Sequence, residues 1–115
     1  MAFDKRKALQ NALTQTQQGK WDKAIAEFKE VLSTDPSNLN AIDGIGSILF
    51  QMAGQPFDPK KMEESRSYHE KHIQIDPSAA ESYYWVGVIN WTIAFRGNAE
   101  LRKKYNEANT RKQIK

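Results

Sequence analysis

The chain has 115 residues, 39% hydrophobic and 27% charged, with a net charge of +3. That is the length of about one domain, large enough to bury a core. The complete absence of cysteine excludes disulfides, thiolate metal sites and cysteine nucleophiles. No apolar run approaches the roughly 18 residues of a membrane span, and the start Met1-Ala2-Phe3-Asp4 carries no apolar leader core. Such a chain is expected to be cytoplasmic, or else a domain of a longer protein.

Asp4 is placed to cap a first helix, about Lys5 to Gln18, whose apolar stripe is Ala8, Leu9, Ala12 and Leu13. Gly19 closes it, since glycine tolerates the left-handed conformation that ends helices. A second helix follows from about Trp21 to Thr34, with Ala24, Phe28 and Val31 on one face. Pro36 stops it, because the residue before proline is pushed out of the helical region. Ser37 or Asn38 caps a third helix, about Asn38 to Ala53, with Ile42, Ile45, Leu49 and Met52 buried. Gly44 and Gly46 lower its propensity by roughly 1 kcal/mol each. Glycines in so periodic a helix imply that another helix packs close to them.

Gly54-Gln55-Pro56-Phe57 reads as an exposed loop, and Asp58-Pro59 as a cap with proline at the first helical position. A fourth helix runs from about Pro59 to Ile75 and is stopped by Asp76-Pro77. Ser78-Ala79-Ala80-Glu81 has the form of a capping box. It opens a fifth helix to about Arg96, carrying Tyr83, Val86, Gly87, Ile89 and Trp91. Asn98 caps a sixth to about Lys112, with Leu101, Tyr105 and Ala108 facing inward. Seven basic residues (Arg96, Arg102, Lys103, Lys104, Arg111, Lys112, Lys115) stand against Glu100 and Glu107 over this last stretch. A solvated face on a terminal helix accounts for them; contact with phosphate or an anionic membrane is the alternative.

The pattern repeats. Pro36 and Pro77 are 41 residues apart; Ile42 and Tyr83 follow them by six, Gly46 and Gly87 by ten, and Phe28 and His69 precede them by eight. Ala24/Phe28/Val31, Ser65/His69/His72 and Leu101/Tyr105/Ala108 share a four-then-three spacing. Registered offsets of this kind are the signature of an internal repeat.

The repeat resembles the tetratricopeptide repeat, a helix–turn–helix unit with the pattern Trp-x2-Leu-Gly-x2-Tyr, then Ala-x3-Phe, then Pro. Ala24, Phe28 and Pro36 meet its second half; Ile42, Ile45, Gly46 and Leu49, and again Tyr83, Val86 and Gly87, meet its first half loosely. The resemblance covers nearly the whole chain as one domain of three repeats, about 5–38, 39–79 and 80–113. Asn11, Ala12 and Gln15 depart from the pattern in the first helix. The second repeat carries seven extra residues near Gly54–Asp58, the third about two near Arg96–Asn98. The resemblance implies an all-α fold: three antiparallel helix-turn-helix hairpins stacked as a right-handed superhelix.

Chemistry-bearing constellations are sparse. His69 and His72 share a helical face, but no further ligand accompanies them, and both fall on the packing stripe. No carboxylate pair, phosphate loop or serine–base arrangement stands out. The reading is therefore a non-enzyme without cofactor or metal. In the tetratricopeptide family the first helix of each repeat lines a concave groove that holds a peptide or partner helix. The resemblance places there Arg6, Leu9, Leu13 and Gln17, then Asn40, Asp43, Ser47, Phe50 and Gln51, then Glu81, Tyr84, Val88, Trp91 and Thr92. Tyr84 and Trp91, two turns apart on a face distinct from that of Tyr83, are the candidate exposed aromatics, and Trp91 the candidate anchor. Co-chaperones of the family grip an acidic tail with lysines, asparagines and an arginine. The matching positions here are Leu9, Leu13, Gly44, Glu81 and Trp85, so a chaperone-tail clamp is not expected. A protein or peptide partner is expected instead, with self-association through stacked repeats as the alternative and nucleic acid not called for.

Overall fold

The computed structural model describes residues 3–113, with side-chain surroundings defined through Thr110. Arg111, Lys112 and Lys115 of the basic stretch thus lie outside the described side chains. The protein is all-α, with helices α1 (Lys5–Gln17), α2 (Trp21–Thr34), α3 (Leu39–Gly54), α4 (Pro59–Ile75), α5 (Ala80–Gly97) and α6 (Ala99–Gln113). They pack in sequence order, each against the next, with α1/α2 and α3/α4 as close antiparallel pairs, in an elongated body of 67 × 31 × 22 Å.

The helix ends follow from local chemistry. The Asp4, Asn38 and Asn98 side chains accept from the amides of Lys7, Ala41 and Leu101, and Asp58 accepts from Lys60 and Lys61. Each satisfies N–H groups that a helix start leaves orphaned. The Lys61 amide holds the Asp58 carboxyl below its ordinary range. Gly19 sits at φ 73°, the left-handed conformation that reverses the chain between α1 and α2. The capping box at Ser78 does not form. Ser78 donates its hydroxyl and its amide back to Asp76, so α5 starts without a side-chain cap. A short polar side chain that closes its own turn is no longer free to cap a helix.

The core lies mainly where α2 and α3 meet. Ala8, Ala12, Ala24, Phe28, Val31, Ala41, Ile45, Ile48 and Leu49 form one buried cluster; Ala53, Met62 and Ile89 form a second beneath Phe50, Phe57 and Ile93. The glycines of α3 admit rings instead of backbone. A Cβ on Gly44 would come within 2.5 Å of the Phe28 ring, and one on Gly46 within 3.1 Å of His69. Ser65 donates to the Gly46 carbonyl at 2.6 Å, which ties α4 to the same point.

Four expectations are corrected. Leu13 leaves the α1 stripe and is 58% exposed, because it overhangs a cleft between α1 and α3. Phe57 is half-buried against the second cluster, under the Arg96 guanidinium 4.8 Å from its ring centre. Only Gln55 and Pro56 of that loop are exposed, and Arg96 also donates to the Gly54 carbonyl. Tyr83 and Gly87 of α5, expected to pack, are exposed, as are Leu101, Tyr105 and Ala108 of α6. The common cause is that α6 meets α5 sparsely, where every earlier helix is closely embraced.

Phe28→Ala is expected to destabilise by about 3–5 kcal/mol, the usual cost of emptying a buried aromatic site. Gly44→Ala should cost about 1–3 kcal/mol by overpacking against the Phe28 ring. In the Phe28→Ala background the same change should instead gain up to about 1 kcal/mol of helix propensity. Denaturant titration of the four proteins measures this reversal of sign; equal effects of Gly44→Ala in both backgrounds would disprove the contact.

Candidate functional site: a line of clefts along α1, α3 and α5

Helices α1 and α3 touch directly, and α3 reaches α5 through Phe50, whose ring meets Trp85 edge-on at 5.2 Å between centroids. Three concavities follow this line. The first, about 410 Å³, lies between α1 and α3 and is walled by Leu9, Leu13, Thr16, Asn40, Asp43, Gly44 and Ser47 over the Phe28 ring. The second, about 270 Å³, is bounded by Asp43, Ser47, His69, His72, Asp76, Glu81 and Trp85. The third, about 230 Å³, is bounded by Ser47, Phe50, Gln51, His69 and Trp85. Asp43 is shared by the first two and Ser47 by all three, so the concavities adjoin.

Eight of the residues placed in the groove by sequence line these clefts: Leu9, Leu13, Asn40, Asp43, Ser47, Phe50, Gln51 and Glu81. Arg6 is exposed outside them. Val88 is half-buried on α5 and its carbonyl accepts from Thr92. Tyr84 is exposed and leans on the Trp85 ring. Trp91 is 59% exposed but stacks on Phe95 at 4.8 Å, beside α6 and away from the clefts. The indole that faces the clefts is Trp85.

Sequence reading passed over Trp85, His69 and His72 as binding residues. The signal was present. Phe28 lies on Gly44 sixteen positions later, and His69 lies on Trp85 at the same spacing, with rings near parallel at 6.2 Å. One register thus gives a ring over a bare helix in the first case and a ring over an indole in the second.

The electrostatics of the middle cleft are acidic. Asp43, Asp76 and Glu81 contribute carboxylates, and His72 donates from Nδ1 to Asp43 Oδ1 at 2.6 Å. The Ser78 hydroxyl and amide hold the Asp76 carboxyl below its usual range. His69 is only 4% exposed. Burial penalises its cation and lowers its pKa; Asp43 opposes this, His72 adds to it, and Glu81 opposes it. Among the described residues no group of three or more potential ligands is arranged to hold a metal ion, and no helix is long and apolar enough to cross a membrane.

No protein-family model matches the chain, and none of the curated proteins matches it either.

Because His69 is held neutral in the fold, its proton uptake favours the unfolded chain. Its contribution is fully present above the unfolded pKa of about 6.5 and is lost as pH falls through the lower folded pKa. The thermal midpoint should therefore drop between about pH 7 and pH 5. His69→Phe, which installs the ring found at the matching position Phe28, should flatten that drop. An undiminished slope in the variant would assign the titration to another group.

Proposed function

We propose that this chain is a non-catalytic binding module that holds an extended peptide in the clefts along α1, α3 and α5. The observation that carries the reading is the adjacency of an apolar cleft and an acidic one. Leu9 and Leu13, above the buried Phe28 ring, offer apolar surface, where affinity arises; Asn40, Asp43 and Gln51 offer polar groups that fix orientation. Asp43, Asp76 and Glu81 around Trp85 suit a basic side chain, whose cation is drawn to the carboxylates and to the indole face. The occupant is thus a peptide with an apolar residue over Leu13 and a lysine or arginine over Trp85.

The finer architecture belongs to the same proposal. The shared register of Phe28 and His69, the small residues beneath them and the sequential packing support a tetratricopeptide-like stack of hairpins curving as a right-handed superhelix. The first helix of each hairpin then forms the inner wall. Trp85 takes the anchor role that Trp91 would hold by family register alone, because it is the indole at the clefts.

Peptides selected from a display library against the wild-type protein provide the probe. Leu13→Asp should weaken them at least about tenfold, about 1.4 kcal/mol, with the thermal midpoint unchanged because Leu13 is mostly exposed. Lys103→Glu on α6 should leave affinity untouched. The reverse result, binding kept in Leu13→Asp and lost in Lys103→Glu, would move the site to the basic last helix.

A further inference from the structure

Two halves of one helix–helix interface stand open in this chain. The 41-residue register pairs Ile42, Gly46, Leu49 and Ala53 of α3 with Tyr83, Gly87, Asn90 and Ala94 of α5. All four on α3 are buried, and all four on α5 are exposed. On α3 the cover is α4, whose His69 ring meets Gly46 and whose Ser65 donates to its carbonyl. On α5 nothing comes within 4 Å of a Cβ built at Gly87. Among the described residues, the slot that α4 fills on α3 is met on α5 by the Arg66 guanidinium at Asn90 Oδ1 and is open at Gly87.

The helix that would fill it is also present. Leu101 and Tyr105 stand on α6 where Ser65 and His69 stand on α4, and they are 45% and 52% exposed. The connection separates the two cases. Four residues, 55–58, join α3 to α4, whereas Asn98 alone joins α5 to α6. Antiparallel helix pairs need loops of about two to five residues. One residue is too short for α6 to lie back along its own α5, and Tyr105 reaches no further than the edge of Phe95, three residues before the junction.

We infer that the open face of α5 receives α6 from a second copy of this chain, in a reciprocal exchange that makes a two-fold dimer. The contact continues the α3–α4 packing already in the fold, with the missing reversal supplied by a second molecule. Short hinges favour such exchange. The exposed aromatics supply part of the area a dimer needs. An aromatic side chain buries about 150–250 Å², and Tyr83 and Tyr105 are each just over half exposed. Two-fold symmetry doubles their contribution to roughly 300–500 Å², part of the about 1,200 Å² at the lower end of stable interfaces. Leu101, Ala94 and Ala108 add to it. This surface is separate from the clefts proposed for peptide, so either reading stands or falls without the other.

Sedimentation of the full chain should give twice the monomer mass. Inserting three Gly/Ser residues between Gly97 and Asn98 restores a four-residue connection, lets α6 close on its own α5, and should yield a monomer of unchanged helix content. Because the chain contains no cysteine, Gly87→Cys and Tyr105→Cys proteins refolded together should form a disulfide between chains on mild oxidation. A wild-type monomer at every concentration would overturn the inference. So would a dimer that survives the insertion, or a Gly87→Cys/Tyr105→Cys double variant that bridges within a single chain.

Discussion

The close approach of α2 to α3 is the constraint on which the rest depends. It exists because Gly44 has no side chain where the Phe28 ring lies; any Cβ there would intrude to 2.5 Å. Once the ring is seated, Ala24 and Val31 on its own helix and Ala41, Ile45 and Ile48 on the next are drawn out of water together. Buried apolar area is what holds a small helical protein together. Here the larger buried cluster spans α1, α2 and α3, and the smaller one joins α3, α4 and α5.

The same contact shapes the clefts. Phe28 closes the floor beneath Leu9 and Leu13, so the apolar cleft is the outer surface of the core contact. One unit later the ring is an imidazole and the bare helix position carries Trp85. That exchange turns a filled seam into an open one: His69 and Trp85 stack without sealing the space, and Asp43, Asp76 and Glu81 gather around it. A polar ring in place of an apolar one at the matching position turns a packed contact into an open cleft. The buried neutral imidazole is the stability cost of that conversion.

At the far end the stack stops short. Arg96 clamps α5 to the α3–α4 loop through the Gly54 carbonyl and the Phe57 ring. Helix α5 then continues to Gly97 and leaves one residue for the turn. Repeat proteins need a polar last element because an uncapped face is apolar by construction. In this chain the last helix has a polar majority, yet its apolar stripe and the face it matches are both uncovered. The composition of α6 suits a cap; its connection does not let it act as one on its own neighbour.

The sequence by itself determined the helices and their ends, since these rest on local chemistry: Asp4, Asn38, Asp58 and Asn98 as caps, Gly19 as the left-handed turn, Pro36 and Pro77 as stops. It also determined the register, because Ala24/Phe28 and Ser65/His69 mark equivalent faces whatever they pack against, and with the register came eight of the cleft residues. Only the tertiary structure decided which equivalent faces are filled. Tyr83 and Leu101 carry the same periodic signal as Ile42 and Ala24, but periodicity says which way a residue faces, not whether anything is there to meet it. The length of one connection settled that, together with the Asp76–Ser78 turn that withheld a cap from α5. Trp85 was hidden for a related reason. Whether an indole lines a cleft or fills a core depends on the ring laid over it from another helix, and that is a property of packing between residues far apart in the chain.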